Sequence, residues 1–260
     1  MENYTIGADP ELFIIDETTN TVVSSIGLIP GIKGEPYVAE DMPKGFGLET
    51  DNILAEFNIP PCTTKEAFIN NIEYMKSYIR SFVKNINPNL GILCEASQMV
   101  PPAQLKSKEA KEFGCSVDFN AYTESANPKP KGTSTNLRSA GFHIHVGYKN
   151  PNVDQSLRYI KRMDITLGAP SIIFDQDSKR RSLYGKAGAF RLTPYGFEYR
   201  VLSSKMMSTP ELLEFVWKGI ELALNDEISL GGLGYSSGDI QMIINNSEVK
   251  YARDIYKKLY

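Results

Sequence analysis

The chain has 260 residues, 42% of them hydrophobic and 23% charged, with 28 basic against 31 acidic side chains and a net charge of −3. That is ordinary globular composition, and without a basic excess it argues against a nucleic-acid or membrane-surface protein. Cys62, Cys94 and Cys115 are odd in number and lack metal-finger spacing, so a reducing compartment is expected rather than a disulfide framework.

Ile6 to Ile15 reads as a strand, and Thr18 to Asn20 as a turn leading to Val22-Val23. The opening Met1-Glu2-Asn3-Tyr4 shows no basic region followed by an apolar stretch, so no signal peptide is expected. A Gly/Pro-rich stretch from Gly27 to Gly47 reads as an irregular loop or two short edge strands. A second strand is expected over Leu48 to Ile59, stopped by Pro60-Pro61. Phe68, Ile72, Met75, Ile79, Phe82 and Ile86 then recur at helical spacing after Thr63-Thr64, predicting a long amphipathic helix to Asn87-Pro88.

Gly91 to Val100 is a further expected strand, and Ser107 to Pro130 is mixed and polar. Ala140 to Tyr148 reads as a strong strand and Val153 to Leu167 as a helix. Arg180 to Leu202 is expected to hold two strands around a turn at Pro194-Tyr195-Gly196. Thr209-Pro210-Glu211 starts another helix, Gly231, Gly232 and Gly234 make a loop, and Ser247 to Leu259 closes the chain as a short helix. No run approaches the ~20 apolar residues of a membrane span. The elements predict an α+β fold with a largely antiparallel sheet and helices on one face, in a soluble, cytoplasmic protein.

Along a strand, residues i and i+2 share a face. Asp9 and Glu11 share one, with Ala8, Leu12 and Ile14 opposite; His143 and His145 share another, opposite Phe142, Ile144 and Val146. Glu198 and Arg200 share a face, as do Glu56 and Asn58. Glu49 and Asp51 have the other parity, so a bulge near Asn52-Ile53 is expected if all the acids are to converge. Taken singly, these residues also suit solvated acids, a structural His pair and an ordinary ion pair. Together they predict a shared metal site, because like charges on adjacent strands repel unless a cation lies between them. Carboxylate-rich ligation favours Mg²⁺ or Mn²⁺.

Gly185, Ala187, Gly188 and Ala189 let backbone approach a ligand, and Arg181, Lys186 and Arg191 supply cations suited to phosphate or carboxylate. Arg138 is a further candidate. The segment has no Walker A or G-x-G-x-x-G pattern and also fits a glycine-rich hairpin with solvated basic residues.

Five segments, in order, resemble the carboxylate–amine ligases of the glutamine synthetase superfamily, above all the phage-type COOH–NH2 ligases and more distantly glutamate–cysteine ligase. They are Gly7-Ala8-Asp9-Pro10-Glu11-Leu12-Phe13, Glu49-x-Asp51 with Glu56-Phe57-Asn58-x-Pro60, Ala140 to Gly147, Tyr184-Gly185-x-x-Gly188-x-Phe190-Arg191, and Gly196-Phe197-Glu198-Tyr199-Arg200. The resemblance implies one catalytic domain over residues 1–260, with ATP and two or three Mg²⁺ or Mn²⁺ ions on the concave face of a curved sheet. It implies Glu11, Glu56, His143 and Glu198 as metal ligands, with Asp9 and Asp51 as further acids of the cluster. It implies Arg200 on the transferred phosphate and Arg191 as a second phosphate or substrate contact. Arg200, Arg191 and Glu56 carry the catalytic roles; Arg181, Lys186 and Arg138 join the two arginines as nucleotide-binding candidates. Asp9 departs from the commoner Glu-x-Glu form, and its shorter side chain suits ligation through water. The expected chemistry joins small-molecule or peptide carboxylate and amine substrates through an acyl phosphate, in the host cytoplasm if the gene is a phage's.

The rival readings are a phosphotransferase on the same sheet, such as a guanidino kinase, a zinc hydrolase, and a non-catalytic protein on a degenerate scaffold. Zinc hydrolases with a His-x-His motif recruit more histidine than the two in this chain. Cys115, Asp118 and Asn120 are the substrate-region guesses, and oligomeric state is left open.

Overall fold

The computed structural model describes residues 3–111, 118–128, 135–225 and 230–260. The first half holds β1 (Tyr4–Asp16), β2 (Thr21–Val23), β3 (Gly47–Asp51), β4 (Leu54–Cys62), α1 (Lys65–Ile86), β5 (Leu90–Leu93), β6 (Ser97–Met99) and α2 (Lys108–Lys111). Next come β7 (Phe119–Asn120), β8 (Ser125–Ala126), β9 (Leu137–Ser139), β10 (Phe142–Tyr148), α3 (Val153–Met163), α4 (Ala169–Ser171) and α5 (Ser178–Leu183). Then follow β11 (Ala189–Thr193), β12 (Gly196–Tyr199), α6 (Pro210–Leu224), α7 (Leu230–Leu233), α8 (Ser237–Asn246) and α9 (Val249–Leu259).

The architecture is α+β, and its main sheet is ten-stranded and antiparallel, in the order β3-β4-β1-β10-β12-β11-β7-β8, with β2 and β5 added on β1. Its apolar face carries Ala8, Phe57, Ile144, Val146, Phe197 and Tyr199, all buried. The long helices cover that face. Phe68 of α1 stacks on Phe142 and touches Trp217 of α6, while Tyr159 of α3 stacks on Phe197. Each fully buried aromatic or aliphatic side chain contributes about 1.5–3 kcal/mol, so this layer fixes which face of every strand is left for polar groups.

Local chemistry sets the ends of the elements. Thr64 caps α1 by accepting from the Ala67 amide, and Phe68, Ile72, Met75, Ile79 and Val83 form its buried stripe. Thr209 caps α6, with Pro210 in its first turn. Asp16 accepts from the Thr18 and Thr19 amides, closing the β1–β2 turn with Asn20 at φ 53°.

Several expectations change. Leu48 to Ile59 is not one strand but the hairpin β3–β4, turned at Asn52, whose φ is 57°. Pro60 and Pro61 do not stop β4. The pairing with β1 shifts between Ile6 and Ala8, and this irregularity absorbs two residues that have no N–H to donate. Gly91 to Val100 divides into β5 and β6, residues 178–183 are helical rather than strand, and Leu230–Leu233 is a helical turn rather than a loop. Helix α8 precedes the expected last helix. Val153 to Leu167 is helical as expected, but its end, Asp164–Gly168, winds as a π-helical turn. Cys115 lies outside the described residues.

Candidate active site

The register of six strands assembles one polar face. Glu49 stands opposite Glu56, Glu56 opposite Glu11, Asp9 opposite His143, His145 opposite Glu198, and Glu198 opposite Arg191. Directly opposed residues point to the same side of an antiparallel pair, so these side chains share a face, together with Asp51 and, just past β12, Arg200. The bulge expected near Asn52-Ile53 is absent. A two-residue turn pairs Asp51 with Leu54, and that alone reverses the parity between β3 and β4.

Among the described residues, two trios bring ligand atoms within 4.8 Å of one another: Glu11, Asp51 and Glu56, and Asp9, His145 and Glu198. The first is all carboxylate. Burial, then Asp51, raises Glu11 to about 7, and burial followed by Asp9, Glu11 and Asp51 holds Glu56 well above its ordinary value. One oxygen of Glu11 also accepts the Gly141 amide at 2.6 Å.

The second trio is mixed. His145 Nε2 lies 2.9 Å from Asp9 Oδ1, yet both atoms are buried without an in-line hydrogen bond. Its Nδ1 shares a 2.6 Å hydrogen bond with the Tyr195 hydroxyl, which fixes the ring with Nε2 toward the acids. Burial lowers the His145 pKa, but the closeness and charge of Asp9, and the charge of Glu198, outweigh it and raise the net value. His143 behaves oppositely: burial first, then Arg200 and Arg180, push it well below its ordinary value, so the ring is neutral. Its Nδ1 is 3.6 Å from Asp9 and 3.4 Å from Glu198, so either histidine reaches the second trio.

A divalent cation fits this donor set. Asp51 is buried and its Oδ1 has no hydrogen-bond partner. Asp9 Oδ1 and His145 Nε2 face each other in the same condition. Carboxylates crowded at such spacing call for a hard positive charge.

The basic residues divide. Glu198, fully buried, accepts from Arg191 Nε at 2.6 Å and from Arg200 Nη1. These two arginines belong to the face. Arg138 lines a narrow cavity beside it, but its guanidinium donates to the carbonyls of Thr135, Leu137 and Ala110 and so ties backbone together. Arg181 is turned away from the face. It pairs with Asp175 at 3.4 Å and donates to the Asp177 carbonyl and Ser247. Successive residues on a helix point about 100° apart, so only one of Arg180 and Arg181 can face the sheet. It is Arg180, which donates to the Val201 and Leu202 carbonyls and lines the narrow cavity. Lys186 is half-buried in the turn before β11 and does not line that cavity.

The narrow cavity, about 40 Å³, lies among Glu11, Asp51, Asp118, Ser139, His143 and Arg200. Asp118 therefore joins the site, whereas the Asn120 side chain serves its own turn, accepting the Tyr122 amide. A second cavity of about 370 Å³ lies at the other end of the acid face, between Gly7, Gly147, Asn58, Asp9, His145 and Tyr195. A Cβ built on Gly7 would meet nothing closer than 3.6 Å, so no packing demand explains the bare backbone there.

Sequence reasoning missed Arg180 and three further participants. Lys33 Nζ lies 2.6 Å from Asp51 Oδ2. Tyr195 was read only as a turn residue. Asp164, wholly buried beneath the other side of β12, accepts from the Tyr199 hydroxyl at 2.7 Å and the Gly188 amide at 2.6 Å. Lys33 and Asp164 carry no local signal; each acts through a fold-dependent neighbour.

Residues 132–257 match the family described as phage phiEco32-like COOH.NH2 ligase-type 2. The matched span contains His143, His145, Arg191, Glu198 and Arg200; Asp9, Glu11, Asp51 and Glu56 precede it. No curated protein matches the chain. No helix among the described residues is long and apolar enough to cross a membrane.

Proposed function

We propose that the chain, whose residues 132–257 match the phage COOH–NH2 ligase family, is an ATP-dependent carboxylate–amine ligase working with Mg²⁺ or Mn²⁺. The observation that carries this reading is the pair of adjoining ligand trios on one sheet face, with Arg191 and Arg200 converging on Glu198 between them and the outer strands. Glu11, Asp51 and Glu56 would hold one ion, and Asp9, Glu198 and a histidine a second. When bound, the ions and ATP would supply charge neutralisation and a γ-phosphoryl group for the substrate carboxylate, with ADP leaving; the amine would then attack the activated acyl carbon and release phosphate and a proton as the amide forms.

The chain's own residues do the positioning. Arg200 and Arg191, resting on Glu198, would turn their donors to phosphate oxygens. The neutral His143 keeps a lone pair for a cation or a donor for an oxyanion. Tyr195 orients His145. The larger cavity, floored by Gly7 and Gly147, has the size of a small-molecule site and suits the nucleoside. The narrow cavity beside Arg200 suits a slim carboxylate group.

The test is trapping. The protein is incubated with ATP, Mn²⁺, hydroxylamine and pools of amino acids, dicarboxylates and peptides, and products are read by mass spectrometry. A hydroxamate formed with ADP and phosphate is expected, and Glu11→Ala or Arg200→Ala abolishes it. A phosphorylated acceptor without hydroxamate would make the protein a phosphotransferase instead.

A further inference from the structure

The loop between β2 and β3 delivers one side chain into the acid face, and its construction is specific. Ile32 and Glu35 exchange backbone hydrogen bonds at 3.2 and 2.9 Å, closing a tight turn with Gly34 at φ 83°. The turn is fastened to β3 at three points: Thr50 N donates to Gly31 O at 2.9 Å, Gly34 N to Glu49 Oε2 at 3.0 Å, and Tyr37 N to Leu48 O at 2.8 Å. Gly31 lies so close to β3 that a Cβ would stand 2.1 Å from the Leu48 carbonyl oxygen.

The tip of this turn is Lys33. Its ammonium sits 2.6 Å from Asp51 Oδ2, and Glu56 and Glu11 are the next acids that attract it. The Lys33 side chain is 50% exposed and that of Asp51 9%, so the cation reaches a buried carboxylate from the solvent side. A surface lysine is ordinarily a weak partner, because ordering its long chain costs entropy. Here the backbone of the turn is already fixed, and the partner carboxylate belongs to a ligand trio whose other oxygen, Asp51 Oδ1, is buried without a hydrogen bond.

We infer that Lys33 is a tethered counter-cation that competes with the divalent ion for Asp51 and is drawn off it by a triphosphate, so that ion and nucleotide load together. This rests on the ligase reading above. An ammonium and a divalent ion cannot both crowd one carboxylate without strong mutual repulsion. Phosphate oxygens arriving beside the ion offer the lysine another anion within its reach. The two ligands then help each other by the same factor, as linkage requires.

Mn²⁺ is titrated by calorimetry into wild type, Lys33→Met and Lys33→Arg, with and without a non-hydrolysable ATP analogue. Without nucleotide, Lys33→Met binds Mn²⁺ about tenfold tighter than wild type, and Lys33→Arg, which keeps the charge, binds as wild type does. The analogue tightens Mn²⁺ binding in wild type and does so much less in Lys33→Met. Thermal melts in EDTA give a second readout: Lys33→Met lowers the metal-free melting temperature, since the trio loses its counter-charge. Equal Mn²⁺ affinities of wild type and Lys33→Met without nucleotide overturn the inference and leave the ligase reading standing. A wild type that binds no Mn²⁺ overturns both.

Discussion

Glu11 stands directly opposite Glu56 across the β1–β4 pair, with Asp51 completing the trio. Like charges at directly opposed positions destabilise a sheet, and both carboxyls are pushed up, Glu11 to about 7. The strands are held in this register by the apolar residues behind them, not by the acids.

A divalent ion should therefore stabilise the fold. Mn²⁺ at a hundred times its dissociation constant adds about 2.7 kcal/mol, seen as a higher melting temperature that EDTA reverses. Glu11→Gln relieves one repulsion while keeping an acceptor for the Gly141 amide. It should melt higher than wild type in EDTA and gain little from Mn²⁺. An ion response equal to that of wild type would remove Glu11 from the ion site.

The β3–β4 turn decides whether the trio forms. Asn52 at φ 57° occupies the left-handed region, where a side chain branched at Cβ is strained by about 1–2 kcal/mol. Asn52→Val should lower stability in urea denaturation by that amount, and Asn52→Gly should not. Inserting one glycine after Asn52 reverses the parity of β3 and turns Glu49 and Asp51 from the face. Circular dichroism should stay close to wild type while Mn²⁺ affinity falls. Undiminished affinity would show that Asp51 is dispensable.

Glu198 has no exposed surface and depends on its two arginines. Arg200→Ala leaves a buried carboxylate with the half-exposed Arg191 as the remaining arginine of its pair and should cost about 3–5 kcal/mol in urea denaturation. Adding Glu198→Gln to that variant should recover much of the loss. If Arg200→Ala alone is neutral, the Glu198 cluster contributes nothing to the fold.

Asp164 gives the pH dependence. Burial raises it to about 7, only partly offset by hydrogen bonds from Tyr199, Tyr122 and the Gly188 amide. A carboxyl raised in the folded state from 3.8 binds its proton more tightly when folded. Its ionisation therefore lowers stability progressively from about pH 4 to pH 7, with the full loss above that. The shift corresponds to about 4 kcal/mol. Asp164→Asn carries no such titration, so whatever its constant offset, its stability relative to wild type should improve by that order between pH 4 and pH 8. Parallel stability curves would refute the raised pKa.

The fold class was legible because it rests on local periodicity. The helical stripe from Phe68 to Ile79 (continued by buried Val83 where Phe82 and Ile86 were expected), the alternation in β10, and the caps Thr64 and Thr209 are each contained within a few turns of chain. The acids, both histidines and the arginines Arg191 and Arg200 were visible for the same reason: alternation within one strand gives the face of each residue. How Arg181 and Arg138 are held was not legible, because composition names a cation without its partners. Tertiary packing turned one toward Asp175 and closed the other on three carbonyls.

What the sequence by itself determined, then, is the phase of each strand and the kind of atom it presents. Alternation is a property of a single extended backbone and needs no neighbour. Which atoms meet was decided only by the tertiary structure. A two-residue turn at Asn52-Ile53 set Glu49 and Asp51 beside Glu56 without a bulge, long-range pairing set His145 beside Glu198, and a fastened loop brought Lys33 to Asp51. Register across strands depends on turn length and on burial of the opposite face, and neither is written in the residues that finally touch.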